Sequence, residues 1–144
     1  YSGYFNSEIT IFNGKQQRPN IYIEDMCRIY LRLLKCDSKI IENEIFNCDC
    51  ENYKVMEIAK IVKGYLEKST KKETKLKYLP SDDIRSYHLN ADKIKNKLGY
   101  KKKFTILDGV KSLVKVFKEN EKYYRNASSK SIFYNVKHMK INGY

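Results

Sequence analysis

The chain has 144 residues, a length that suits one domain with a modest core. Its 29 Lys plus Arg against 17 Asp plus Glu give a net charge of +12, a field that attracts anions. No run of 18 apolar residues and no signal-peptide pattern occurs, so membrane insertion and secretion are not indicated, and a cytoplasmic chain is expected.

In chain order, Glu8 to Phe12 (EITIF) alternates and is rich in β-branched residues, so it reads as a strand, and Asn13-Gly14 turns the chain. Ile21-Tyr22-Ile23 is a short strand-like run. A helix over 23–35 follows, with an apolar stripe at 23, 26, 27, 30, 33 and 34. Glu24 and Asp25 in its first turn and Lys35 at its end suit the helix dipole. Glu44 to Asn47 reads as a short strand. Asn52 then caps a helix over about 53–68, striped by Val55, Ile58, Ala59, Val62 and Leu66. Lys75 to Leu79 is a strand ended by Pro80, and the polar loop Ser81 to Ser86 follows. Asn90 caps a short helix, 91–98, that Gly99 stops. Thr105 and Asp108 form a capping-box pattern ahead of a helix carrying Leu107, Val110, Val114 and Phe117. Residues 126–144 read as a polar tail, within which Ile132-Phe133-Tyr134 packs locally. Short strands alternating with helices predict an α/β fold.

The four cysteines, Cys27, Cys36, Cys48 and Cys50, include one C-x-C and no C-x-x-C. They read as reduced thiols packing as small apolar groups, not as zinc ligands. Lysine supplies most of the positive charge, and only five of the 29 basic residues are arginine: 18, 28, 32, 85 and 125. The lysine excess reads as solvated faces. An arginine in a polar loop stands out against that background.

Five segments, in order, carry a resemblance. Arg18-Pro19-Asn20-Ile21-Tyr22-Ile23-Glu24-Asp25 is similar to the "RPxIHVxD" segment of extended short-chain dehydrogenases/reductases, the NAD-dependent nucleotide-sugar epimerases and dehydratases. Glu44 to Asn47 resembles the family's "xxFNVG" strand, and Asn52 to Ala59 its "N-x-[ST]-hydrophobic-x-E-L-A" helix start. Asp83 to Tyr87 looks like "D-x-R-x-Y". Asp92 to Tyr100 with Thr105 to Val110 resembles the "LGF…T-L-E-D-G-I" region. The matches span about residues 8–118.

The resemblance implies the C-terminal, substrate-binding portion of a Rossmann-type enzyme. Residues 1–125 would form that portion, with about 18–50 returning to the Rossmann sheet, and the dinucleotide-binding part would lie in a longer chain of which this is a piece. Arg18 would meet the substrate diphosphate, and residues 23–34 would be scaffold. Arg85 is a second candidate for the diphosphate. A guanidinium stays protonated and offers a planar fork of donors, and a charge-assisted hydrogen bond contributes about 1.5–3 kcal/mol. Asn47 either reaches the nucleotide or caps a strand end. Tyr87 either stacks near the substrate or packs, and Gln17 is a weaker candidate. His88 and His138 have no base or nucleophile beside them in sequence. Asp82 and Asp83 read as turn residues.

Departures from the family pattern are informative. No glycine-rich turn follows a first strand, and none of the 13 tyrosines has lysine four residues later, so the Tyr-x-x-x-Lys pair is missing. NAD would therefore be held mainly by the preceding part, which would also carry the dimer helices. Cys48-Asp49-Cys50 stands where the family has glycine, and Tyr22 replaces the commoner histidine. The rival from another class is a non-catalytic basic module that uses Lys71-Lys72 and Lys101 to Lys103 on nucleic acid or an acidic partner.

Overall fold

The computed structural model describes residues 1–48, 50–127, 130 and 135–141. The expected local packing at Ile132-Phe133-Tyr134 lies outside them. Two compact units are present, residues 1–111 and 112–144.

The first unit is α/β. A short helix α1 (Ser2–Asn6) ends at Ser7 in the left-handed conformation and leads into β1 (Glu8–Phe12). β1 pairs in parallel with β4 (Lys75–Leu79), Glu8 opposite Lys75 and Phe12 opposite Leu79. Parallel pairing requires a long crossover. Between the two strands run β2 (Gln17–Asn20), α2 (Ile23–Leu34), α3 (Ser38–Ile41), β3 (Glu51–Lys54) and α4 (Val55–Thr70). α4 packs on β1 and α1, and Gly3 is there because a Cβ would come within 2.6 Å of a Leu66 methyl. Ile11, Ala59 and Leu66 are buried in this region.

β2 and β3 form a separate antiparallel ladder, Arg18 opposite Tyr53 and Pro19 opposite Asn52. The strand therefore lies just before the apolar run 21–23, which leads into α2. Asn52 is not a helix cap. It sits in β3, where its side-chain amide donates to the Leu89 carbonyl and accepts from the Leu89 N–H, both at 3.0 Å. The helix starts three residues later, with the Glu57 carboxylate accepting the Lys54 N–H at 2.7 Å. Glu44–Asn47 is not a strand here, for no ladder among the described residues pairs with it. Phe46 instead packs on the core beneath the Lys93 ammonium.

α5 (Asp92–Leu98) ends at Gly99, φ 59°, whose N–H bonds the Lys95 carbonyl. Asn90 serves its start by accepting the Asp92 N–H at 2.8 Å. Thr105 and Asp108 form the expected reciprocal pair at the head of α6 (Ile106–Glu119). The core of this unit joins Ile29, Ala91, Ile94, Leu98 and Tyr100. At its heart is Asp25, fully buried. Its carboxylate accepts from the Lys103 and Phe104 N–H groups, the Tyr100 hydroxyl and Arg28. Burial by itself would raise its pKa, but these donors hold it below the ordinary carboxylate value.

In the second unit, Phe117 and Tyr124 meet edge to face, α7 (Glu121–Arg125) follows α6, and α8 (Asn135–Ile141) closes the described chain. No helix among the described residues is long and apolar enough to cross a membrane.

Candidate functional site

The candidate residues collect where the 81–90 loop runs alongside β2. The loop is pinned to the strand by its backbone: the Tyr87 N–H donates to the Gln17 carbonyl at 3.1 Å, and the Gln17 N–H donates to the Ser86 hydroxyl at 2.8 Å. Asn52 pins the loop again at Leu89. Strand register thus presents Arg18 to the turn at residues 81–85, 67 positions downstream in sequence.

That turn is built by Asp82 and Asp83. The Ile84 N–H bonds the Asp82 carbonyl, and the Asp83 N–H donates to the Ser81 hydroxyl. Asp83 then does more than turn the chain. Both its oxygens accept from the Arg85 fork, Nε at 2.8 Å and a terminal nitrogen at 2.9 Å. Arg18 approaches the same carboxylate at 3.5 Å, donates to the Arg85 carbonyl, and lies 5.3 Å from the centre of the Tyr87 ring. The Arg85 bonds hold the Asp83 carboxyl down at about 2, with Arg18 adding to the effect. In return Asp83, with a smaller contribution from Tyr87, holds the Arg85 guanidinium above its usual pKa. Arg85 remains 71% exposed at its side chain and Arg18 29%, so one guanidinium is open to solvent and the other is seated against the protein.

Gln17 turns its side chain to His88, carbonyl oxygen to Nδ1 at 3.3 Å. Asn47 donates to the Asn90 carbonyl at 3.2 Å, which ties residues 44–47 to the far end of the same loop. Of the sequence candidates, Gln17, Arg18, Arg85 and Tyr87 are brought together, and Asn47 bonds the loop at its other end. His88, which has no partner in its sequence neighbourhood, gains one through Gln17. His138 is exposed on α8 in the second unit. Asp83 and Ser86 were missed as site residues. Their only local signal is a turn composition, whereas Arg18, which Asp83 shares with Arg85, and Gln17, which Ser86 accepts from, lie on a strand far away in sequence.

The cluster carries two positive charges against one negative, in a mostly exposed setting. Such an arrangement can exchange a carboxylate for a more highly charged anion, and the Tyr87 ring offers a face beside it. Among the described residues no three His, Cys, Asp or Glu side chains are grouped to hold a metal. A Cβ at Gly14 would meet a Met56 methyl at 3.1 Å and Ile11 at 3.2 Å, so side chains already fill the approach to that turn.

No family model matches the chain. It is 35% identical over 119 residues to the uncharacterized protein MJ1055 of Methanocaldococcus jannaschii, a match covering 79% of this chain and 34% of that protein. The chain thus spans about a third of the curated relative's length. Among solved structures, an L-threonine dehydrogenase from Phytophthora infestans superimposes with a TM-score of 0.68 at 15% identity, covering 83% of this chain and 39% of the dehydrogenase. The PbgP3 protein of Burkholderia pseudomallei gives a TM-score of 0.56 at 15% identity, covering 86% and 38%. At that identity the likeness establishes a common fold, the α/β fold expected from the alternation of strands and helices.

Proposed function

We propose that this chain is the nucleotide-sugar-binding portion of an NAD-dependent epimerase or dehydratase, with Arg18 and Arg85 holding the substrate diphosphate. The observation that carries the reading is the convergence of two guanidinium groups, from β2 and from the 81–90 loop, on the single carboxylate of Asp83. A diphosphate has more acceptor oxygens and more negative charge than one carboxylate, so it can engage two forks that a single carboxylate must share. Tyr87 would pack beside it, and Gln17 and Asn47 would hold the loop and its flank in place. Residues 18–50 would return to a Rossmann sheet supplied by the rest of a longer chain. NAD and the groups that move protons and hydride belong to that remainder, so no chemical step is assigned to a residue here. The sharing of a fold with a dehydrogenase over 83% of this chain supports an enzyme of this general kind.

The test is a titration of a nucleotide-sugar panel into the complete protein and into its Arg18→Ala and Arg85→Ala variants. Each lost charge-assisted bond of about 1.5–3 kcal/mol corresponds to at least a tenfold rise in Kd. Unchanged affinity in both variants would refute the site.

A further inference from the structure

A second cationic site lies away from the loop just described. α2 and α5 end on the same open groove, about 800 Å³ in volume. Five cations line it, Arg28, Arg32, Lys35, Lys97 and Lys101, and no acidic residue does. Leu31, Ile40 and Leu98 give it an apolar wall.

Two of the five cations are already matched. Arg28 pairs with Asp25 at 2.6 Å and lies over the Tyr100 ring, and Lys97 pairs with Glu44. No side-chain hydrogen bond or ion pair engages Arg32, Lys35 or Lys101 among the described residues. Cations at helix C-termini are expected, since each helix end carries up to about half a negative charge. Two such ends offset roughly one positive charge. Three unmatched cations leave a surplus of about two, which an ordinary dipole argument does not use up. Gly99, left-handed at φ 59° where α5 stops, sets its backbone beside the Arg32 guanidinium: a Cβ there would lie at ordinary contact distance, 3.5 Å, from a terminal nitrogen.

We propose that this groove binds a polyphosphate group, inorganic or carried by a nucleotide, through Arg32, Lys35 and Lys101. The surplus charge matches the two or more negative charges of such a group. Arg32 supplies a fork, the two lysines supply point charges, and the apolar wall accepts an organic moiety when one is attached.

The test uses the full protein carrying Arg18→Ala and Arg85→Ala and saturated with NAD, so that binding at the loop site and at the dinucleotide site does not contribute. Pyrophosphate and ADP are titrated separately and followed by calorimetry and by the amide signals of Gly99 and Lys101. Saturable binding below about 1 mM is expected, with those two amides shifting. Adding Arg32→Ala with Lys101→Ala should weaken it at least tenfold, whereas adding Lys71→Ala with Lys72→Ala should leave it within twofold. Tighter binding of ADP than of pyrophosphate would assign the apolar wall to the base or sugar, and equal binding would assign recognition to the phosphates alone. Three results would overturn the proposal: no saturation, unmoved Gly99 and Lys101 signals, or equal losses from the two double substitutions. The last of these would mark a diffuse basic surface instead.

Discussion

Asp83 occupies the Arg85 fork that a diphosphate would need, and this makes it a competitor for ligand as well as a turn residue. Its pKa of about 2 keeps it ionised through the whole neutral range, so the competition does not relax until strongly acid pH. Asp83→Asn removes the competing charge and keeps the shape of the turn. The expected result is a several-fold fall in the Kd for nucleotide sugars at pH 7. A rise instead would mean that Asp83 chiefly holds the arginines in place. Asp25 makes the opposite kind of case, a carboxylate that serves only the fold. Removing one partner from a buried charged network costs on the order of 3–5 kcal/mol, so Asp25→Ala should lower stability by about that amount in denaturant titration. Its pH signature has a definite sign. The folded pKa is depressed, so the stabilisation is complete above the unfolded value near 3.8 and is lost as pH falls through the lower folded value. Asp25→Asn should therefore flatten the loss of Tm below pH 4. Neither role was legible in the sequence. Asp83 follows another aspartate and precedes an arginine, a pattern that reads as a turn. Asp25 sits in a helix first turn, where an acid with Arg28 three residues on already has a sufficient explanation, and its other donors lie 75 to 79 positions downstream. Arg18 and Arg85 drew notice through the family resemblance and through the scarcity of arginine in this chain, and their meeting at one carboxylate depends on a loop lying beside a strand.

At the scale of the element, α2 shows how an apolar period can mislead. Ile23, Cys27, Tyr30 and Leu34 repeat at helical spacing, yet all four are exposed. The helix buries the neighbouring line instead, through Asp25 and Ile29, with Met26 and Leu33 half-buried. The pattern located the helix, but the line buried within this chain runs beside the stripe, because a buried aspartate breaks the apolar count on the side that packs here. Substitutions on the two sides should separate cleanly. Ile29→Ala opens a cavity in the core and should cost about 2–5 kcal/mol, whereas Leu34→Lys on the 82% exposed position should stay within about 0.5 kcal/mol. Comparable losses in urea unfolding would show that the outer side is covered in solution. Local signals fared better elsewhere. The Gly99 stop and the Thr105–Asp108 pair depend only on residues within one turn, and both form as expected. β2 and β3 escaped notice because a four-residue strand with proline announces itself only through its partner, here 31 to 37 residues away along the chain. Residues 44–47 show the converse, a strand-like sequence with no ladder to join among the described residues.

Over the whole molecule the controlling quantity is charge. Twenty-nine cations face 17 anions, so even complete pairing would leave twelve positive charges repelling one another. Two effects of salt then oppose each other. Screening weakens the ion pairs, but most of those seen here have a partner at least a third exposed, and exposed pairs contribute only about 0–1 kcal/mol each. Screening also weakens the repulsion, which acts over many pairs of charges and at distances comparable to the screening length, about 10 Å at 0.1 M salt and about 30 Å at 0.01 M. The buried network at Asp25 is shielded from solvent and changes little. Repulsion should therefore dominate, and Tm should rise as NaCl is raised from about 0.01 M to 0.15 M and level off beyond it. Chloride is the anion to use because sulfate stabilises proteins by exclusion whatever their charge. The two cationic sites sharpen the expectation. Pyrophosphate at equal ionic strength should raise Tm more than NaCl does, since it binds the folded chain at positions where the surplus charge is concentrated. The excess should shrink when Arg18, Arg85, Arg32 and Lys101 are all replaced by alanine. A Tm that falls with added NaCl, or a pyrophosphate effect no larger than that of chloride, would mean that the positive charges are spread too evenly for either site to bind.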